Sequence, residues 1–267
     1  EKFKIQNMPI LRGFVHLIDS MQIGYKTLDW SAKISDEEQS SNNKFIDSLL
    51  SILSIVFAIT LFMGIPYYLT GIGLKSTNMN NDLIFNLFAG ILRMIIFLIY
   101  LVSISQLKDV KILFQYHGAE HKVVYNFEAG TSLSINNAQK FSTKHPRCGT
   151  SFVFILMLVT IFTYAIADSI ISFLGLLEFT IPIRILFHLL LLPFVAGIGY
   201  ELLKFLARKQ KNRFFAMLSK PGLWLQNITT KNPTDEQIAV SLAALKAAFN
   251  NDITKFEGRQ FNADAIG

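Results

Sequence analysis

Three of the five histidines and the only cysteine of this chain fall within one short stretch. It contains Tyr116-His117-Gly118-Ala119-Glu120-His121-Lys122 and, further on, Lys144-His145-Pro146-Arg147-Cys148-Gly149. His117 and His121 are four apart, so on a helix they project from one face about 6 Å apart, near enough to share a metal ion. Glu128 lies seven beyond His121 and can share that face, while Glu120 is offset around the helix. The pattern H-x-x-E-H is that of the inverzincins, in which two histidines bind zinc and the glutamate is the general base. His145 and Cys148 are three apart, a spacing suited to two ligands on a tight turn, with Pro146 fixing the backbone between them. Imidazole, thiolate and carboxylate together suit zinc or another borderline divalent metal.

Two metal arrangements follow. In one, His117, His121 and a third ligand from among Glu128, His145 and Cys148 leave one metal position open, and Glu120 is the general base. Lys122 and Arg147 would then hold an anionic substrate group or a developing oxyanion. In the other, His117, His121, His145 and Cys148 close a tetrahedral structural site. Against both stands the simpler reading that these are hydrogen-bonded surface residues. A single cysteine rules out an intrachain disulfide and fits a reducing compartment.

The elements that position this stretch are apolar. Of the 267 residues, 51% are hydrophobic and 16% charged, against about a quarter charged in soluble proteins. The apolar residues gather in four runs, from about Ser48 to Gly71, Leu83 to Leu107, Thr150 to Leu174 and Pro182 to Leu206. Each is long enough to cross a hydrocarbon core about 30 Å thick, and none has the cleavage pattern of a signal peptide. Basic residues divide unevenly around them. Lys2, Lys4, Arg12, Lys26, Lys33 and Lys44 precede the first run, and Lys108, Lys111, Lys122, Lys140, Lys144 and Arg147 lie between the second and third. Arg208, Lys209, Lys211 and Arg213 follow the fourth, while the other two loops carry only Lys75 and Arg184. The positive-inside rule therefore places both termini and the motif loop on the cytoplasmic side of the inner membrane. The net charge of +6 reads as contact with anionic lipid heads. Nucleic acid is not expected as a partner, because no RNA- or DNA-binding motif accompanies the basic residues.

The expectation is an all-α integral membrane protein with about four transmembrane helices and amphipathic cytoplasmic helices at both ends. Residues 1–47 form an interfacial N-terminal segment, 48–206 a four-span domain with the motif loop at 108–149, and 207–267 a basic cytoplasmic tail. From Pro9 to Leu28, Leu11, Phe14, Ile18, Met21 and Tyr25 fall at helical spacing, as in a helix lying on the cytoplasmic leaflet. Docking of that helix onto the rest of the chain is the alternative, and His16 on it is expected to be exposed. Residues 35–43 read as a polar linker. In the tail, Thr234 and Gln237 make a capping box ahead of an apolar stripe, Ile238, Leu242, Leu245 and Phe249. Residues 251–267 are polar and expected to be loosely ordered.

Charges also lie inside the runs. At helical rise, Arg93 is about 21 Å from the cytoplasmic end, and Asp168 and His188 about 27 Å. Arg93 is expected to pair with Asp168, with His188 nearby, either as a polar path or as an interhelical salt bridge. Glu201, about 8 Å in, is expected to face the motif loop.

The stretches FQYHGAEHK and HPRCGTSF resemble the signature of the YqhQ-like family of bacterial inner-membrane proteins. PILRGFVHLIDSMQIGYKTLDWSA and PGLWLQNITTKNPTDEQIAVSLAALKA resemble it too, so the likeness covers about residues 9 to 249. It implies a multi-span membrane fold and a metal-dependent enzyme. The family usually begins further upstream with a glycine-rich stretch that this sequence does not contain. The function expected is metal-dependent hydrolysis at the cytoplasmic membrane face, on a lipid-linked molecule or a membrane protein. The alternatives are a non-catalytic scaffold with a structural metal, and a small transporter using Arg93, Asp168 and His188, which would need homo-oligomerisation.

Overall fold

In hydrocarbon a chain must pair every backbone N–H and C=O within itself, so apolar runs of this length are satisfied as helices. The computed structural model describes residues 10–35, 44–75, 81–146, 148–209 and 212–261. Pro9, Lys2, Lys4, the linker from 36 to 43, Arg147, Lys211 and the chain end from 262 lie outside the described residues. Among the described residues four helices are long and apolar enough to cross a membrane: Ser48–Lys75, Asp82–Ile104, Gly149–Phe173 and Ile181–Leu206. They coincide with the four apolar runs to within a few residues. No strand occurs among the described residues, and the chain is an all-α membrane protein. Its contacts divide into two compact units, Glu1–Phe97 with Leu156–Glu201, and Leu98–Ile155 with Leu202–Gly267.

The first unit opens with α1 (Leu11–Ser35). Its first turns pack closely: Gly13 lies against Tyr200, and Arg12 makes a two-pronged ion pair with Glu201 at 2.6 Å for each bond. His16 is exposed but stacks on Tyr200. The start of this helix is thus docked, while Met21, Tyr25, Leu28 and Trp30 further along stay exposed. Within this unit Glu201 is the partner of Arg12.

Span one is α2 (Lys44–Ile59), a π turn at Thr60–Gly64 and α3 (Ile65–Lys75). Leu49, Leu50, Leu53, Ile55 and Phe57 in its first half are more than half exposed, as on a face turned to lipid. The π turn has an identifiable cause. Pro66 has no N–H, so the Phe62 carbonyl four residues earlier loses its helical donor. Arg93 Nε fills the vacancy at 2.8 Å. Arg93 stands on α4 (Asp82–Ile104), followed later in the chain by α7 (Gly149–Phe173) and α8 (Ile181–Arg208).

The second unit is built on α5 (Lys108–Glu128), so the motif is helical. Ala119 and Val123 on one face of α5 pack against Ile238 and Leu242 of α10 (Asp235–Phe249), with Leu133 and with Ala138 of the short α6 (Ile135–Ala138). The Thr234–Gln237 capping box starts α10. α9 (Arg213–Thr229) precedes it. The expectation of loose order beyond residue 250 is corrected up to Phe261. The short α11 (Ile253–Phe256) follows α10, Phe261 N–H donates to Glu128 O at 2.9 Å, and the Phe261 ring stacks on Phe127.

Candidate metal centre

Helical spacing sets His117, Glu120, His121, Val124 and Glu128 along one side of α5, away from the face that meets α10. Together with His145, Cys148 and Gly149 they line a cavity of about 350 Å³. His117 Nδ1 lies 2.8 Å from Thr229 O, and His121 Nδ1 2.5 Å from Thr143 O. A carbonyl oxygen only accepts, so both Nδ1 atoms carry a proton, and Nε2 is the nitrogen that donates to the Cys148 thiolate when protonated or binds an ion when it is not. His117 Nε2 meets Cys148 Sγ at 3.2 Å. The ligand atoms of His117, His121 and Cys148 all lie within 4.8 Å of one another. Two nitrogens and a sulfur around tetrahedral zinc stand about 3.4–3.6 Å apart, so a few tenths of an ångström of widening between His117 and Cys148 and an approach of the remaining pairs would fit the trio to an ion. Fixing a ligating imidazole through its other nitrogen is the usual way a protein orients such a ligand.

The turn carrying Cys148 is held from α9. Gln226, fully buried, accepts from His145 N–H at 2.7 Å and donates Nε2 to His145 O at 2.8 Å. The same Nε2 donates to Ser151 Oγ at 3.0 Å, and Gly222 lets α9 approach Ser151 closely. One side-chain amide thus pins both ends of the His145–Ser151 segment. Nothing local in the sequence marks Gln226, Thr143 or Thr229, because their partners lie 22 to 112 residues away.

The electrostatics favour a thiolate. Burial alone would raise the Cys148 thiol, but hydrogen bonds from His117, His121 and Thr150 outweigh it and bring the pKa down to about 5. Burial opposes charging of His117, and the Cys148 hydrogen bond and charge overcome that and raise it.

Other expected site residues are placed differently. His145 Nε2 pairs with Glu128 Oε2 at 3.3 Å, so both line the cavity but stand outside the close trio. Glu120 is exposed and lines the cavity. Lys122 does not face it, which corrects its assignment to a substrate anion. Its side chain is buried, and Nζ donates to the Gln139 and Phe141 carbonyls at 2.8 and 2.7 Å. Burial lowers its pKa. Arg93 does not reach Asp168 either. Its Nη2 donates to Tyr67 Oη at 3.0 Å, while Asp168 takes His188, Asn86 and Arg184.

Fold and cluster together define a class: an all-α, multi-span membrane protein whose helical second unit gathers two histidines and a cysteine at a cavity. Residues 8–251 match the family described as "Protein of unknown function (DUF1385)", and the chain belongs to that family. It is 29% identical over 252 residues to "Uncharacterized protein YqhQ" of Bacillus subtilis (strain 168), covering 89% of this chain and 76% of that protein. No solved structure matches.

Proposed function

We propose that His117, His121 and Cys148 hold one divalent metal ion, zinc by their donor set, and that the chain is a metal-dependent hydrolase working at the cytoplasmic face of the inner membrane. The observation that carries this reading is the commitment of both Nδ1–H groups to backbone carbonyls, which reserves both Nε2 atoms as ligands for an ion that would replace their protons beside Cys148. A buried surface cluster has no need of that arrangement. His145 is engaged with Glu128, so the trio leaves a fourth position toward the cavity, as catalytic rather than structural zinc sites do. Such an ion supplies Lewis acidity to an oxygen in the cavity. Glu120, the glutamate of the H-x-x-E-H pattern, accepts the proton of the attacking water. The adjoining spans make a lipid-linked molecule or a membrane protein the natural substrate.

Elemental analysis of the full chain, purified in mild detergent beside His117→Ala/His121→Ala and Glu120→Gln variants, tests the reading. About one zinc per chain is expected in the wild type and in Glu120→Gln, and none in the double variant. No metal in the wild type after incubation with zinc would sink the proposal. Metal that survives in the double variant would move the site elsewhere.

A further inference from the structure

The first unit encloses a second group of reactive side chains, independent of the metal reading. Asp168 and His188 are completely buried and Tyr67 is 1% exposed. A carboxylate only accepts, so the 2.8 Å contact of His188 Nε2 with Asp168 Oδ1 puts the ring proton on Nε2. His188 Nδ1 then accepts the hydroxyl proton of Tyr67 at 2.5 Å. The Tyr67 oxygen in turn accepts from Arg93 Nη2 at 3.0 Å. All three bonds point the same way, from Arg93 through Tyr67 and His188 to Asp168. Tyr164 stands aside from this line. It stacks on the imidazole at 3.8 Å and gives its hydroxyl proton to the His188 carbonyl, which holds the ring in place.

The far carboxylate oxygen, Asp168 Oδ2, accepts from Asn86 at 2.8 Å and lies 3.1 Å from Arg184 Nε. Arg184 also pairs with Asp82, and both line a cavity of about 340 Å³ beside Lys75 and Asn81, where spans one and two meet their loop. Two guanidinium groups, Arg93 and Arg184, balance two carboxylates, Asp82 and Asp168, so the group is neutral with His188 neutral.

We propose that this line is a proton relay, in which a proton passes between Tyr67 and Asp168 through His188 and exchanges with water of the loop-side cavity at the Asp168 end. In the forward step the Tyr67 O–H bond breaks and its proton joins His188 Nδ1. At the same time the His188 Nε2–H bond breaks and that proton joins Asp168 Oδ1. The O–H electron pair stays on the Tyr67 oxygen as a phenolate facing Arg93, and Asp168 becomes a neutral acid. No net charge enters or leaves, which a site among lipid-embedded helices requires. The far end of the relay meets a weak point in span one. Arg93 also supplies the Phe62 carbonyl that Pro66 leaves without a donor, and a phenolate at Tyr67 competes with that carbonyl for the guanidinium. The position of the proton is thereby linked to the π turn.

The test is solvent exchange of the His188 ring proton, read by NMR on the full chain in lipid nanodiscs with nitrogen-15 histidine and assigned by loss of the signal in His188→Gln. The relay replaces the Nε2 proton from Tyr67, so Tyr67→Phe slows exchange by about a hundredfold, the lower range for a positioned proton-transfer group. A static packing cluster exchanges only by local opening, which loss of the hydroxyl makes easier. Equal or faster exchange in Tyr67→Phe overturns the relay, as does a wild-type proton that never exchanges. Should that variant not accumulate, incorporation of 3-fluorotyrosine decides. It keeps the ring and makes the phenol a better acid, so the relay speeds up, and an unchanged rate overturns it.

Discussion

At the scale of single residues the thiol is the most sensitive reporter. The chain has one cysteine, so the ultraviolet absorbance of a thiolate reports Cys148 alone. In chelator-treated protein the thiolate should persist on acidification until about pH 5, whereas an unperturbed cysteine is lost near pH 8.5. His117→Ala should move the midpoint upward, and a midpoint near that of a free thiol in the wild type would refute the hydrogen-bonded pair. The linkage has a definite sign. Cys148 is depressed on folding, so its stabilisation is complete above the unfolded thiol pKa and lost as the pH falls through about 5. His117 is raised, so its contribution is complete below the ordinary histidine value and lost as the pH rises through its folded pKa. The metal-free pair therefore helps most between the two unfolded values, from about pH 6.5 to about pH 8.5, with macroscopic midpoints that belong to both groups. The pairing of His117 with His121 was legible in the sequence because i and i+4 share a helix face, whereas the choice of Cys148 over Glu128 and His145 as their close neighbour depends on the fold. Lys122 was misread because it neighbours His121 in sequence yet points to another side of the helix, where two carbonyls claim its ammonium.

At the scale of elements the spans were legible from length and apolarity, since hydrocarbon leaves the backbone no alternative to the helix. The π turn was not, because it depends on a guanidinium 31 residues away taking the orphaned carbonyl. α9 gave no signal either, as Pro221 and Gly222 read locally as breakers, whereas Gly222 is the small residue that admits Ser151. Gly118 makes the same point on α5. In an exposed helix a glycine-to-alanine change gains about 1 kcal/mol. Here a Cβ would overlap the Lys231 carbonyl, whose own N–H is anchored on Phe114 O at 2.9 Å. Overpacking of this kind costs about 1–3 kcal/mol, so Gly118→Ala should lower the melting temperature rather than raise it. The displaced strand of chain also carries Thr229, the carbonyl that orients His117, so zinc affinity should fall in the same variant. A higher melting temperature with unchanged zinc binding would show that the crossing at Gly118 is loose.

At the scale of the whole molecule the argument turns on which side of the bilayer each loop occupies, and side-chain pairing sharpens the charge count. Of the two basic residues in the sparse loops, Arg184 is buried and paired with Asp82 and Asp168, so it offers little charge to a lipid surface. Only Lys75 remains there. On the other side Arg12 is tied to Glu201 and Lys122 is buried, yet Lys108, Lys111, Lys140 and Lys144 still flank the motif, and Arg213 stands in the tail. At about 1 kcal/mol for each basic residue near an anionic leaflet, that asymmetry is the basis of the orientation expected from the charge count. It predicts that the cavity of His117, His121 and Cys148 opens to the cytoplasm, where a free thiolate survives. Single cysteines introduced into a Cys148→Ser background measure this directly. Glu178→Cys, exposed between spans three and four, should react with a membrane-impermeant maleimide in intact cells. Lys140→Cys and Lys246→Cys, exposed on the second unit, should react only after the cells are opened. The opposite pattern would put the cluster on the oxidising face, where the thiol chemistry proposed for it could not be maintained. Labelling of Lys140→Cys and Glu178→Cys from the same side would break the even number of crossings on which the topology rests.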